Sequence, residues 1–252
     1  MNNRSGTLLV TGATRGLGYE YIRYALGAGE NVLAVGRNFG DNHWLRQQEN
    51  GQSLALFECD LAEHDLADRL TDFMSSNSLS VDRVLHAAGG GLGRREELLS
   101  WQDFQDLFSA NLFGASEINR VLVPIMREGG YGRIVHVGST AATHAVGSVG
   151  YNTVKAALGA YVRSLGRCLT SDNIVVSGIN PGAFLAEDNA MERLSKNRPE
   201  VFDSFVNDRL PRKFMAHVSE IYGLIDFLLS REASMLGGSM VAIDAGESLA
   251  YD

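Results

Sequence analysis

The chain is predicted to adopt a doubly wound α/β fold, a Rossmann-like parallel sheet of about seven strands with helices on both faces. Three observations predict it. Short, continuously apolar runs recur along the 252 residues, amphipathic helical patterns alternate with them, and the first run ends in a tight glycine cluster. The runs are Thr7–Thr11, Val32–Val35, Leu54–Phe57, Val81–Ala87, Ile134–Val137, Ile174–Ile179 and Met240–Ile243. Most lack the in–out alternation of a half-exposed strand, as expected where helices cover both faces. Helical periodicity places Ala115, Ile118, Leu122 and Ile125 on one face. It does the same for Leu158, Val162, Leu165 and Leu169, and for Val218, Ile221, Ile225 and Leu228. Right-handed crossovers then put helices on both sides of the sheet. With no fixed-period repeat, low-complexity tract or composition break, residues 1–252 read as a single domain.

Composition narrows the function. An apolar share of 45% with 21% charged residues excludes disordered and collagen-like classes. The 28 glycines against 4 prolines point to tight turns inside a folded domain rather than a linker. The net charge is −8, and no lysine or arginine cluster offers a phosphate-backbone footprint, so no nucleic acid partner is expected. Cys59 and Cys168 lie in apolar stretches and read as reduced, buried thiols. No secretory pattern precedes Gly12, and the longest uncharged window, 134–154, is too polar for a bilayer. A cytoplasmic location without membrane contact is therefore expected. The histidines show no metal spacing, and no metal is expected.

The strand Thr7–Thr11 runs straight into Gly12-Ala-Thr-Arg-Gly16-Leu-Gly18, and a helix follows. Gly12 permits the tight turn, Gly16 lets backbone approach a pyrophosphate, and Gly18 allows close helix–strand packing. About 20 residues on, where an acidic side chain would bind the ribose of NAD, stand Gly36-Arg37-Asn38. Arg37, with Arg15 inside the loop, suits a 2′-phosphate, because a planar guanidinium binds phosphate bidentately. NADP(H) is the expected cofactor.

Tyr151 and Lys155 stand at i and i+4 on a helix running to about Leu169, so both project from one face. A free phenol titrates near 10, too high for proton transfer at neutral pH, and a neighbouring ammonium would lower it.

At this point the chain resembles the short-chain dehydrogenase/reductase family over essentially its whole length. The resemblance rests on Thr11-Gly12-x-x-x-Gly16-x-Gly18, Asp60 in Glu-Cys-Asp-Leu, and Asn111 in Ala-Asn-Leu-Phe-Gly. Ser139, the Tyr151/Lys155 pair and Asn180-Pro181-Gly182 complete it. It implies catalysis by Asn111, Ser139, Tyr151 and Lys155. Tyr151 would be the general acid or base, Ser139 would orient the carbonyl, and Lys155 would hold ribose and lower the phenol pKa. Asn111 would support a water. Cofactor contacts are implied for Gly12, Thr14, Arg15, Gly16, Leu17, Gly18, Arg37, Asp60, Leu61, Ala88, Gly89, Tyr151, Lys155, Pro181 and Gly182. The implied reaction moves a hydride between NADP(H) and a carbonyl/secondary-alcohol pair. A small-molecule substrate and a homo-oligomer, a tetramer built on the 111–127 and 151–169 helices, are implied with it. A nucleotide-dependent epimerase or dehydratase, or a silent nucleotide-binding regulator, are the other readings.

The chain departs from the family pattern in four places. His86-Ala87-Ala88-Gly89 replaces an Asn-Asn-Ala-Gly segment, and His86 is expected to bond a backbone carbonyl. Gly138 replaces a serine, Ser139 precedes Tyr151 by 12 residues where 13 is usual, and Ala186 replaces a threonine. His144 is a candidate substrate contact. Between Ala183 and Phe214 lies a charge-rich segment without a strand pattern, read as a helical flap over the site. Its Arg193, Lys196, Arg198, Arg209, Arg212 and Lys213, with Arg94 and Arg95 upstream, give a mild preference for an anionic or highly polar substrate.

Overall fold

The computed structural model describes residues 6–40, 42–48 and 53–250. Residues 1–5, to which part of the reading of the N-terminus applies, lie outside the described residues.

Seven strands are parallel neighbours in one sheet among the described residues. They are β1 (Thr7–Thr11), β2 (Asn31–Gly36), β3 (Leu54–Glu58), β4 (Val81–His86), β5 (Gly132–Val137), β6 (Ile174–Pro181) and β9 (Met240–Ile243), in the order β3-β2-β1-β4-β5-β6-β9. Between β6 and β9 in sequence, β7 (Phe184–Leu185) and β8 (Ala216–His217) form a separate parallel pair. All seven predicted runs are strands of the sheet, with ends shifted by up to two residues.

The pleat explains why the strands read as continuously apolar. Leu8 and Val10 of β1, with Val32 and Ala34 of β2, point to one face. There they meet α1 (Gly16–Gly27), α2 (His43–Gln48) and α9 (Ser219–Leu228) through Ile22, Leu45 and Ile225. Leu9, Leu33 and Val35 point to the other face. There they meet α3 (Leu66–Ser76), α5 (Gly114–Gly129) and α6 (Val149–Leu169) through Leu70, Ile118, Leu122, Leu158 and Val162. Both faces of the central strands are covered, so most positions of β1 to β6 are buried.

Several elements carried too little signal to be predicted. Helix α2 has one buried residue, Leu45, and α4 (Trp101–Phe108) has one, Leu107. A five-residue π-helical turn, Ser109–Phe113, links α4 to α5 and brings Asn111 inward. The segment read as a flap holds two helices, α7 (Ala190–Asn197) and α8 (Pro199–Arg209). It also contains β7, a strand too short to leave a pattern, paired through Phe184 and Leu185 with Ala216 and His217. Cys168 corrects the expectation of two buried thiols. Cys59 is buried, with burial pushing its thiol up to about 12, but Cys168 falls on the outward face of α6. Among the described residues no helix is long and apolar enough to cross a membrane.

Candidate active site

The strand order reverses around β1, so a crevice opens at the carboxyl ends of β1 and β4, where open α/β sheets take ligands. The glycine loop lies there. Gly12 has φ +70° and Gly16 φ +62°, both in the left-handed region that favours glycine. A Cβ on Gly18 would stand 2.5 Å from the Gly12 carbonyl oxygen, and one on Gly12 would stand 2.8 Å from Ala88 N. The loop is thus packed onto the end of β4, and Ala88 N–H donates to Thr11 Oγ1 at 3.2 Å. Ala13 N–H donates to the Val35 carbonyl and ties the loop to β2. The first turn of α1 carries no acidic side chain of its own to offset its positive end, although its Gly16 N–H is held by the Glu187 carbonyl. Leu17 and Gly18 are buried behind it. This cradle fits a dinucleotide pyrophosphate.

The two arginines do not converge. Arg15 pairs with Asp188 of the flap at 3.6 Å, while Arg37 stands exposed at the end of β2 without an ion-pair partner among the described residues. Strand register also brings a carboxylate that the sequence reading missed. Glu58 lies beside Gly36, accepts from Phe39 N–H at 3.0 Å and pairs with Arg46. Gly36 has no room for a side chain, since a Cβ would meet the Thr14 methyl at 2.8 Å and the Phe39 ring at 3.1 Å. Asp60 accepts from Ala62 N–H at 3.1 Å in the loop after β3, where Leu61 meets the start of α5 at Gly114.

Asn111 closes the far side of the crevice. Its amide oxygen accepts from Gly90 N–H at 2.9 Å, and its nitrogen donates to the carbonyls of Gly90 at 3.0 Å and Leu107 at 2.9 Å. Both ends of the side chain are therefore spent on holding the Gly89–Gly91 loop. Gly89 is packed so closely that a Cβ would fall 2.4 Å from Asn111 Oδ1 and 3.5 Å from Lys155 Nζ.

Lys155 is buried in α6, and its ammonium donates to the Val137 carbonyl at 2.9 Å. Burial pushes it down to about 8. One turn back, the Tyr151 phenol is pushed up by burial and drawn back down by Ser139. The expected lowering by Lys155 is not found: the ammonium is turned toward Val137, lies 5.7 Å from the phenol ring centroid, and is not among the causes of the shift. Ser139 stands just past β5, with its N–H donating to Asn180 Oδ1 at 3.1 Å and its Oγ accepting from Ala141 N–H at 3.1 Å. Asn180 thus positions Ser139, a role the sequence reading did not assign. The same contact explains Gly138, where a Cβ would stand 2.2 Å from Asn180 Oδ1. The 3₁₀ turn Thr140–Ala142 begins immediately after Ser139, and with the shorter spacing the serine still reaches Tyr151.

One histidine expectation needs correction. His86 bonds no backbone carbonyl. Its Nε2 lies 3.0 Å from Asn119 Oδ1 and its ring stacks on His136 at 4.5 Å. Asn119 also reaches His136 and the Tyr161 hydroxyl, so this buried network stands where the family pattern has amides. Burial pushes His86 down to about 4 and His136 well below its usual value, leaving both rings neutral. His144 Nδ1 accepts from Leu249 N–H of the C-terminal segment at 3.5 Å. Arg94 supplies no spare charge, being paired with Asp103 and Asp106.

A cavity of about 240 Å³ holds Ser139 and Tyr151 together with Pro181, Gly182 and Ala183 at the end of β6. The flap supplies its outer wall through Met191, Phe205 and Arg209, and Glu247 lines it from the C-terminal segment. Of these four only Arg209 stands out in the sequence, as one of six flap cations; Met191, Phe205 and Glu247 carry no motif and join the site only through the fold. The flap is tied to the glycine loop as well. Gly16 N–H donates to the Glu187 carbonyl at 2.7 Å, and Arg23 approaches Glu187 at 3.8 Å. These are few, exposed contacts, so the flap is expected to open locally at low cost. Hydrogen exchange across 183–214 should slow when NADPH and substrate bind; equal protection in both states would mark a fixed insertion.

The sequence model of a family described as short chain dehydrogenase matches residues 6–197. A curated relative, the 3-oxoacyl-(acyl-carrier-protein) reductase MabA of Mycobacterium avium, is 26% identical over 250 residues, covering 98% of this chain and 91% of the relative. Among solved structures, the L-sorbose reductase of Gluconobacter frateurii complexed with NADPH and L-sorbose is 26% identical, with a TM-score of 0.86 and 98% of both chains covered. A 3-oxoacyl-(acyl-carrier-protein) reductase with bound NAD from Brucella melitensis shares the fold at 22% identity, with a TM-score of 0.84 over 98% of this chain and 93% of that one.

Proposed function

The chain belongs to the short chain dehydrogenase family, and from that premise we propose that it transfers a hydride between NADP(H) and a carbonyl/secondary-alcohol pair. The observation that carries this reading is the meeting of Ser139 and Tyr151 in one cavity at the strand ends, beside the glycine cradle. When bound, the nicotinamide supplies the hydride chemistry. The chain's own groups handle the oxygen. Ala141 N–H occupies one lone pair of Ser139 Oγ, which leaves the serine proton free to donate to a substrate oxygen. The Tyr151 phenol gives up its proton to that oxygen during reduction and takes it back during oxidation. Lys155 donates one of its three hydrogens to Val137 and has two left for ribose or phenolate. Gly12, Thr14, Gly16, Leu17, Gly18, Asp60, Leu61, Ala88, Gly89, Pro181 and Gly182 line the path for the dinucleotide.

NADPH oxidation with a panel of ketones tests the reading. Turnover with cofactor consumption supports it. Product without net cofactor change would mean epimerisation, and binding without turnover would mean a silent regulator. We further expect a cytoplasmic homo-oligomer, a tetramer, joined through the outer faces of α5 and α6.

NADPH should be preferred to NADH by at least about tenfold in kcat/KM, or roughly 1.4 kcal/mol. Arg37 has no ion-pair partner among the described residues, and one charge-assisted contact to a 2′-phosphate is worth about 1.5–3 kcal/mol. Arg37→Ala should remove most of the preference with little change toward NADH. Arg15→Ala should cost less, because Arg15 gives up its pair with Asp188 to reach a phosphate. Introducing an acid at Gly36 is not a usable test, given the contacts with Thr14 and Phe39. Equal kcat/KM for the two nucleotides in the unaltered enzyme would reject the assignment.

A further inference from the structure

The flap is rich in cations, and most of them are spent. Arg193 pairs with Asp188, Lys196 with Glu192 and Arg212 with Glu220, while Lys213 donates to the Asn207 carbonyl. Arg209 is different. It lines the cavity that holds Ser139 and Tyr151, and it has no acidic partner among the described residues. Its guanidinium carbon lies 5.1 Å from the centroid of the Phe205 ring, which lines the same cavity. Stacking on an aromatic face restrains a guanidinium while leaving its edge N–H donors free. The other formal charge in the cavity, Glu247, is already engaged, since its Oε2 accepts from Ala183 N–H at 2.7 Å. The lining of the cavity also includes the apolar side chains of Val146, Met191 and Phe205.

The geometry points to Arg209 as the anchor for a carboxylate on the substrate, which makes the substrate an oxo acid whose carbonyl and carboxylate are joined by an apolar spacer. This deepens the reading of the Ser139/Tyr151 cavity as the substrate site and rests on it. An oxo acid would place its carbonyl oxygen at Tyr151 and Ser139, its spacer along Met191 and Phe205, and its carboxylate on the guanidinium edge. A bidentate guanidinium–carboxylate pair adds direction as well as charge, so Arg209 would also select the orientation of the ketone. Because Arg209 is exposed, replacing it is expected to leave the fold intact.

The test compares 3-oxobutanoate, 4-oxopentanoate, 5-oxohexanoate and 6-oxoheptanoate, each with its methyl ester, as substrates with NADPH. For at least one spacer length the acid should show the lower KM. Arg209→Met should raise the KM of that acid about tenfold, with a smaller change in kcat, and bring the acid/ester KM ratio close to one. Arg209→Lys should recover part of the ratio, and Lys196→Met, which alters a paired flap cation, should leave it as in the parent enzyme. An unchanged ratio in Arg209→Met at every length would overturn the proposal. A second arm needs no turnover. Calorimetric binding of hexanoate and of hexanamide to the NADPH-loaded protein should favour the anion, and the preference should vanish in Arg209→Met. If no ketone is reduced but that preference appears and vanishes as stated, the anchor stands and the reductase reading fails. If ketones are reduced without any preference for acids, the reductase reading stands and the anchor fails.

Discussion

Tyr151→Phe is expected to lower kcat by about 10²–10⁴-fold, the range that a positioned general acid or base contributes. The substitution deletes one hydroxyl and keeps the ring, so the packing against Gly91 and the wall of the cavity survives. Cofactor binding should be nearly unchanged. NADPH fluorescence titrated beside turnover separates the two quantities, and normal turnover in the variant would remove Tyr151 from the mechanism. The structure adds a pH expectation. Burial raises the phenol in the absence of ligands, with Ser139 opposing it. Ser139→Ala should therefore push the phenol further up and move the alkaline limb of the pH–rate profile to higher pH, besides lowering kcat.

Lys155→Met should impair both turnover and cofactor affinity, and it should also change how stability depends on pH. In the folded chain burial brings the Lys155 ammonium down to about 8 from its usual 10.5. Between those two values the unfolded chain holds a proton there that the folded chain lacks, so folding stability from this group rises with pH across the window. Below about pH 8 the full cost of burying the charge is present; above 10.5 it is gone. At about 1.36 kcal/mol per pH unit, the rise amounts to roughly 3 kcal/mol. Other titrations overlap this range, so the quantity to measure is the difference in urea-unfolding free energy between the parent protein and Lys155→Met from pH 7.5 to 10.5. A difference that does not vary with pH would show that the ammonium is hydrated in the folded state. The cost is borne at a site where a buried cation has chemistry to do, consistent with perturbed groups gathering at functional sites.

The residues near one another in sequence were legible without the fold. Both faces of the sheet are buried, which makes each strand a continuous apolar run, so all seven sheet strands stood out. The glycine loop could be read because Gly12 and Gly18 admit no side chain, and the Tyr151/Lys155 pair because i and i+4 share a helix face. Sequence alone thus determined the fold class, the family and the identity of the catalytic candidates. Contacts between distant segments were decided only by the tertiary structure. Asn180 was found to hold Ser139, Asn119 to join two neutral histidines, and Glu58 to stand beside Gly36, each through strand pairing or packing that brings remote residues side by side. The state of charge was decided there too. Lys155 is depressed because α6 buries it, and Arg15 and Arg209, alike as arginines in the sequence, differ because one meets Asp188 and the other, without an acidic partner among the described residues, meets the face of Phe205. A local pattern records which side chain must be small, apolar or periodic; the partner that satisfies a charge or a hydrogen bond comes from elsewhere in the chain and leaves no mark on the residues around it.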